Sequence, residues 1–233
     1  MAERPVFIPR ERGDKFVTTK LLHFTWFPGM SKTQKQKSIR SLHEKIRKLT
    51  GIDRVLEISS KSEDELGISL SAFNLMIVTK KRNMRFSVES AYQASKVFER
   101  GGPYIDLLTK SSRKAKKDVR LKYSGRLLKF VFFGQEWKLE PKTAFYDWLY
   151  LNALDENEDL SLQICKYSAF TDIEFNPKQS INCQAYSAAL YVALSKRGLL
   201  RDALCSQESF LSVIEDVRLN NSLENQESQF SLF

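Results

Sequence analysis

The run Ser87-Val-Glu-Ser-Ala-Tyr-Gln-Ala-Ser-Lys96 carries a carboxylate at Glu89, an amide at Gln93 and an amine at Lys96. At about 100° per residue, seven residues return a helix to almost the same face. The spacing therefore predicts one polar stripe, with Val88, Ala91, Tyr92, Ala94, Val97 and Phe98 as its apolar remainder. Facing a cleft, such a stripe could carry acid–base chemistry. Facing water, it is a solvated face with spaced charges. His23 and His43 are the only histidines, and neither has metal-ligand spacing to the other or to a cysteine. An active site here is expected to run on carboxylates, lysine or tyrosine, with no metal and no cofactor.

The elements that must position these residues follow from periodicity and punctuation. Residues 14–27 read as strand, and residues 31–49 as a basic helix with Ile39, Leu42, Ile46 and Leu49 on one side, stopped by Gly51. Residues 54–59 and 70–79 read as extended, with a polar loop at 60–67 between them. Ser87 is a suitable N-cap for the helix of the stripe, which is expected to run to Gly101-Gly102. Pro103 opens a further helix to about Lys117. Leu127–Phe133 and Glu136–Leu139 form a strand pair around Gly134. Pro141 opens a helix through Leu154, Asp155–Asp159 breaks it, and Lys166–Phe175 is strand or loop. A helix begins at Ser180 or Asn182 and runs to Leu194. Another spans Ser206–Val217, and a polar tail follows that is expected to be poorly ordered. The expected fold class is α+β, a predominantly helical single domain with a small β ribbon.

Composition bounds the function. The 233 residues fit one large domain, and 42% hydrophobic with 12% aromatic residues suffice for its core. No apolar run reaches the length of a membrane span, and Met-Ala-Glu-Arg-Pro does not resemble a secretion signal, so the expected location is cytoplasmic, with no membrane partner. Cys165, Cys183 and Cys205 are far apart and form no CxxC pair, which argues against disulfides or a zinc site. The formal charge is +9. Lys110, Arg113, Lys114, Lys116, Lys117, Arg120, Lys122, Arg126 and Lys129 fall close together, with Asp118 the only acid among them. A second basic run spans Lys32 to Lys48. Such clusters suit a nucleic-acid phosphate backbone, or are simply solvated.

Three further segments complete a pattern. They are Leu70-Ser-Ala-Phe73, Phe145-Tyr-Asp-Trp148, and Phe170-Thr-Asp-Ile-Glu-Phe175 followed by Ser180-Ile-Asn-Cys183. With the Glu89 helix, their order and spacing resemble the NADAR (YbiA-like) family over roughly residues 68–197. Trp26-Phe-Pro-Gly29 and Phe170-Thr-Asp-Ile-Glu-Phe-Asn176 look like the branch encoded beside DarT-class toxins, which attach ADP-ribose to DNA bases. This chain departs from the pattern at Ser90 (usually histidine), Phe145 (commonly arginine), Phe175 (usually tryptophan) and Cys183-Gln184-Ala185 (usually an Arg-Leu-Gly-like stretch).

The resemblance implies a NADAR-like catalytic core at 68–200, an N-terminal extension at 1–67 packing on it, and a C-terminal helix and tail at 201–233. It implies a hydrolase that removes ADP-ribose from guanine in DNA, acting as antitoxin to a DNA ADP-ribosyltransferase. Lys96 is then the expected nucleophile, forming a Schiff base, with Glu89 and Asp172 moving protons. In a rival route water attacks directly and Lys96 only binds. Ser71, Phe73, Gln93, Trp148, Phe175 and Asn182 are the expected substrate-binding residues. Trp148 and Phe175 also suit core packing, while Asp172 and Asn182 also suit capping. Arg113, Lys114, Lys116 and Lys117 are the expected DNA contacts. The expected partners are ADP-ribosylated DNA, single-stranded because a guanine amine in a duplex requires base extrusion, ADP-ribose as product, and the cognate toxin. The competing functions are a non-catalytic antitoxin that binds the toxin and a general nucleic-acid-binding protein.

Overall fold

A computed structural model describes residues 2–79, 83–176 and 183–215. The chain opens with β1 (Ala2–Pro9) and β2 (Val17–Phe24), an antiparallel pair in register from Ala2↔Phe24 to Pro9↔Val17. Helix α1 (Lys32–Thr50) follows, started by the Ser31 hydroxyl on the Gln34 N–H and stopped at Gly51, whose φ of 70° suits glycine. Next come β3 (Val55–Glu57), α2 (Glu65–Ser69), β4 (Met76–Val78), β5 (Arg85–Ser87) and α3 (Val88–Ala94). After α3 the chain forms β6 (Lys96–Phe98), a 3-10 turn (Ile105–Thr109), α4 (Ser112–Lys116) and α5 (Arg120–Tyr123). Strands β7 (Leu127–Phe132) and β8 (Gln135–Trp137) lead to α6 (Ala144–Asp155), α7 (Glu158–Ile164), β9 (Ala169–Thr171), α8 (Gln184–Lys196) and α9 (Leu200–Cys205). Residues 207–215 are also helical.

The strands form three sheets, in the orders β2-β1-β9-β3, β4-β5 and β6-β7-β8. Helix and strand are intermixed along the chain. The expectation of a mostly helical domain with one small ribbon gave too little weight to strand. β1 carries Pro5 and Pro9, which weaken a local strand signal. It becomes a strand by pairing with β2 and by meeting β9 at Phe7↔Phe170. β3 runs parallel to β9 from Val55↔Ala169 to Glu57↔Thr171. The first 67 residues thus supply the other three strands of the sheet that holds β9, the strand that leads into Asp172.

Two departures from local pattern shape the centre. The helix of the stripe ends at Ala94 and not at Gly101. The Ser95 hydroxyl bonds back to the Ala91 carbonyl (2.8 Å), while the Ser95 carbonyl accepts from the Val131 N–H (2.7 Å). Lys96 then pairs with Phe130 in β7. β-branched and aromatic Val97 and Phe98 favour this strand. The helix expected from Pro103 is interrupted, because Lys110 and Ser111 adopt extended backbone angles.

Helices α6 and α8 are buried on nearly all sides and pack on each other as the central layer. A separate small core lies between α1 and the sheet, with Ile39, Leu42 and Ile46 against Val6, Phe24, Val55 and Ile173. Gly67 in α2 touches β3 closely, since a Cβ there would lie 2.0 Å from the Glu57 carbonyl oxygen. Gly67→Ala is expected to destabilise the fold by about 1–3 kcal/mol. A urea midpoint matching the wild type would show that β3 yields at no cost.

Candidate active site

A cavity of about 590 Å³ opens where these elements meet. Helix α3 contributes Glu89 and Gln93, and β6 contributes Lys96. The turn after α2 contributes Ser71 and Phe73, and the segment after β9 contributes Asp172 and Phe175. Because α3 stops at Ala94, Lys96 reaches the cavity from a strand edge and not from the helical stripe.

Glu89 and Gln93 form one buried unit. Gln93 Nε2 donates to Glu89 Oε1 at 2.8 Å. A carboxylate only accepts, so this bond fixes the amide orientation. Gln93 Oε1 is buried without a hydrogen-bond partner, leaving an acceptor for a ligand donor. The Glu89 N–H donates to the Ala72 carbonyl (2.8 Å), tying α3 to the Ser71–Phe73 turn. Lys116 Nζ lies 3.8 Å from Glu89 Oε1 and 5.1 Å from the centre of the Phe73 ring, at the mouth of the cavity.

The Lys96 amine lies 4.7 Å from the centre of the Tyr92 ring. Burial is the main cause that brings its pKa down to about 8; Glu89 opposes that shift and Lys116 adds to it. About a tenth of the amine is then neutral at pH 7, against roughly 0.03% for an ordinary lysine.

Asp172 is buried just after β9, and its carboxyl is pushed up to about 8 by burial first and the nearby Glu57 second. Its Oδ1 accepts from the N–H groups of Glu174 (3.0 Å) and Phe175 (3.1 Å), so it caps that turn. Its Oδ2 accepts from Gln184 Nε2 at 3.0 Å. The same amide donates to the Ile58 carbonyl (2.6 Å) and accepts from the Ala72 N–H (2.8 Å). Gln184 thereby ties Ile58, Ala72 and Asp172 together.

The family model described as DarT1-associated NADAR antitoxin matches residues 2–224. The chain belongs to that family. No curated protein matches the sequence. The matched span takes in the N-terminal residues, and Ser59 and Ser60 from that part line the cavity of this NADAR protein.

Of the residues singled out in the sequence, Lys96, Glu89, Asp172, Ser71, Phe73, Gln93 and Phe175 converge on the cavity. Trp148 is not among the lining residues; it packs on Trp137 (5.0 Å between ring centres) and Phe132 (6.4 Å). Asn182 lies outside the described residues, as does the tail beyond 215. Of the basic set, Lys116 reaches the cavity, while Arg113, Lys114 and Lys117 are exposed on α4 and just after it. Among the described residues, no helix is long and apolar enough to cross a membrane.

Sequence reasoning missed Gln184, Tyr146 and Tyr92 as lining residues. Gln184 had a signal, since it sits in a stretch that departs from the NADAR pattern. Two other departures are structural. Ser90 donates to the Lys110 carbonyl (3.0 Å), and Phe145 fills the aromatic core.

Proposed function

We propose that this NADAR protein is a hydrolase that removes ADP-ribose from guanine in single-stranded DNA and so neutralises a cognate DNA ADP-ribosyltransferase toxin. The observation that carries the reading is an enclosed amine, Lys96, with a lowered pKa, in one cavity with Glu89 and a buried Asp172. Membership of an antitoxin family and the exposed cations of α4 support it.

The chemistry follows from the bond to be cleaved. The anomeric carbon carries the guanine amine on one side and the ribose ring oxygen on the other. Protonation of the ring oxygen by Asp172 breaks the bond between carbon and ring oxygen, leaving the carbon double-bonded to the guanine nitrogen. Neutral Lys96 adds to that carbon. Glu89 takes the surplus proton from the new ammonium and returns it to the guanine nitrogen, which departs as the free amine. The resulting protonated lysine Schiff base adds water, whose surplus proton returns to Asp172, then expels Lys96 and releases ADP-ribose, whose ring recloses. One water is consumed, and DNA and enzyme are restored.

The test is mass spectrometry of a guanine-ADP-ribosylated oligonucleotide incubated with the protein. Unmodified DNA plus free ADP-ribose is the expected result. Intact modified DNA beside folded protein would overturn the hydrolase reading and favour neutralisation by binding the toxin.

A further inference from the structure

Behind Asp172, and outside the cavity lining, lies a second carboxyl that the mechanism above does not use. Glu57 ends β3 at 2% exposure. Its Oε2 accepts from the Thr171 hydroxyl at 2.6 Å, and its Oε1 from the Ile173 N–H at 2.8 Å. Those are the residues immediately before and after Asp172. The Ser59 hydroxyl also bonds to it. Thr171 donates its only hydroxyl proton to Glu57, so His43 Nε2, 3.0 Å from that oxygen, is the donor to it. Burial holds the His43 ring neutral, with its pKa down at about 4. A chain of hydrogen bonds thus runs from α1 through β9 to Glu57.

We infer that Glu57 is a positioning residue of the proposed reaction: it clamps both neighbours of Asp172 and supplies a second buried carboxyl, so that the pair keeps one proton, which Asp172 presents to the cavity. Two adjacent anions in a buried site repel each other and lose hydration, so holding one proton between them is the lower-energy state. Only Asp172 of the two lines the cavity. Its Oδ1 accepts from two backbone N–H groups and its Oδ2 from Gln184 Nε2 alone, which leaves Oδ2 the less occupied oxygen towards a ligand.

The other groups around the pair do not remove this constraint. Arg4 of β1 is a cation within Coulombic reach of both carboxyls, but it is only half-buried, and its Nε donates to the Ile173 carbonyl (3.4 Å). Glu174 adds a further negative charge on an exposed turn. Tyr146 and Tyr150 of α6 and the Cys183 thiol are all pushed up by burial and stay neutral.

The inference rests on the hydrolase reading only for the use made of the proton, so two readouts separate them. The first is the pH dependence of turnover by the full chain and by Glu57→Gln, which keeps an acceptor for the Ile173 N–H but removes the charge. The second is the titration of the Asp172 carboxyl carbon by NMR, assigned by its loss in Asp172→Asn. The expected result is a drop of at least about one pH unit in the Asp172 midpoint of Glu57→Gln, with the alkaline limb of turnover moving equally. An unchanged midpoint overturns the inference, even if turnover is normal. A shifted midpoint in a protein that turns nothing over supports the pair and overturns the hydrolase reading. Should Glu57→Gln not fold, the wild type decides: Asp172 and Glu57 carboxyl carbons that titrate in two linked steps support the pair, and a single Asp172 step independent of Glu57 overturns it.

Discussion

Lys96→Arg is expected to lower turnover of ADP-ribosyl-guanine DNA by roughly 10³-fold or more, the scale set by loss of a covalent nucleophile. Arginine keeps the positive charge and much of the length but does not deprotonate in proteins, so it separates a nucleophile from a binding cation. Adding borohydride during turnover is expected to fix ADP-ribose on Lys96 of the wild type and nowhere in the variant. An active wild type that gains no mass under these conditions would remove the covalent route and favour direct attack by water. The pH profile adds a second constraint. Below pH 8 the neutral amine rises about tenfold per unit, because the pKa of Lys96 lies at about 8. Above pH 8 the proton on Asp172 is lost, since its carboxyl also titrates at about 8. Turnover is therefore expected to peak near pH 8 and fall on both sides.

Phe145→Ala is expected to carry the largest stability loss, about 3–5 kcal/mol, the usual cost of deleting a buried phenylalanine. Phe145 is 2% exposed and lies at the centre of an aromatic cluster. Its ring centre is 4.8 Å from Phe130, 5.6 Å from Trp137 and 6.2 Å from both Tyr92 and Phe132. These partners come from β7, β8 and α3, so a cavity here loosens three elements together. A domain stable by about 5–15 kcal/mol would lose a large share of that margin. Tyr92 also supports the Lys96 amine, so any folded variant is expected to lose activity as well. Urea unfolding checks the first effect, and a loss below about 1 kcal/mol would mean that the cluster closes over the vacancy.

Much of the site was legible from residue types and spacing. Glu89 and Gln93 stand four residues apart on a helix that Ser87 caps, and an i,i+4 pair meets whatever surrounds it. The stop at Gly51 and the strand pair around Gly134 (φ 85°) were equally local matters of backbone freedom. Membership of the NADAR family was readable from the ordered segments.

Lys96 shows where that legibility ended. Its spacing suited the helical stripe, yet the backbone bond from Val131 and pairing with Phe130 drew it onto a strand. Trp148 followed a similar course, because Trp137 and Phe132 gave its ring an apolar seat outside the cavity. Glu57 reaches the neighbours of Asp172, and Gln184 its carboxyl, through bonds that span more than a hundred residues or cross between elements. By itself, the sequence determined the capped α3 with its Glu89–Gln93 pair, the strong positive charge and the family, because these rest on neighbouring residues and on order along the chain. Only the tertiary structure decided that α3 ends before Lys96, that the N-terminal strands join the sheet of β9 beside Asp172, and that Glu57 bonds the neighbours of Asp172 while Gln184 bonds its carboxyl. The reason is that strand pairing and burial are set by partners distant in the chain, and no periodicity within one segment encodes them.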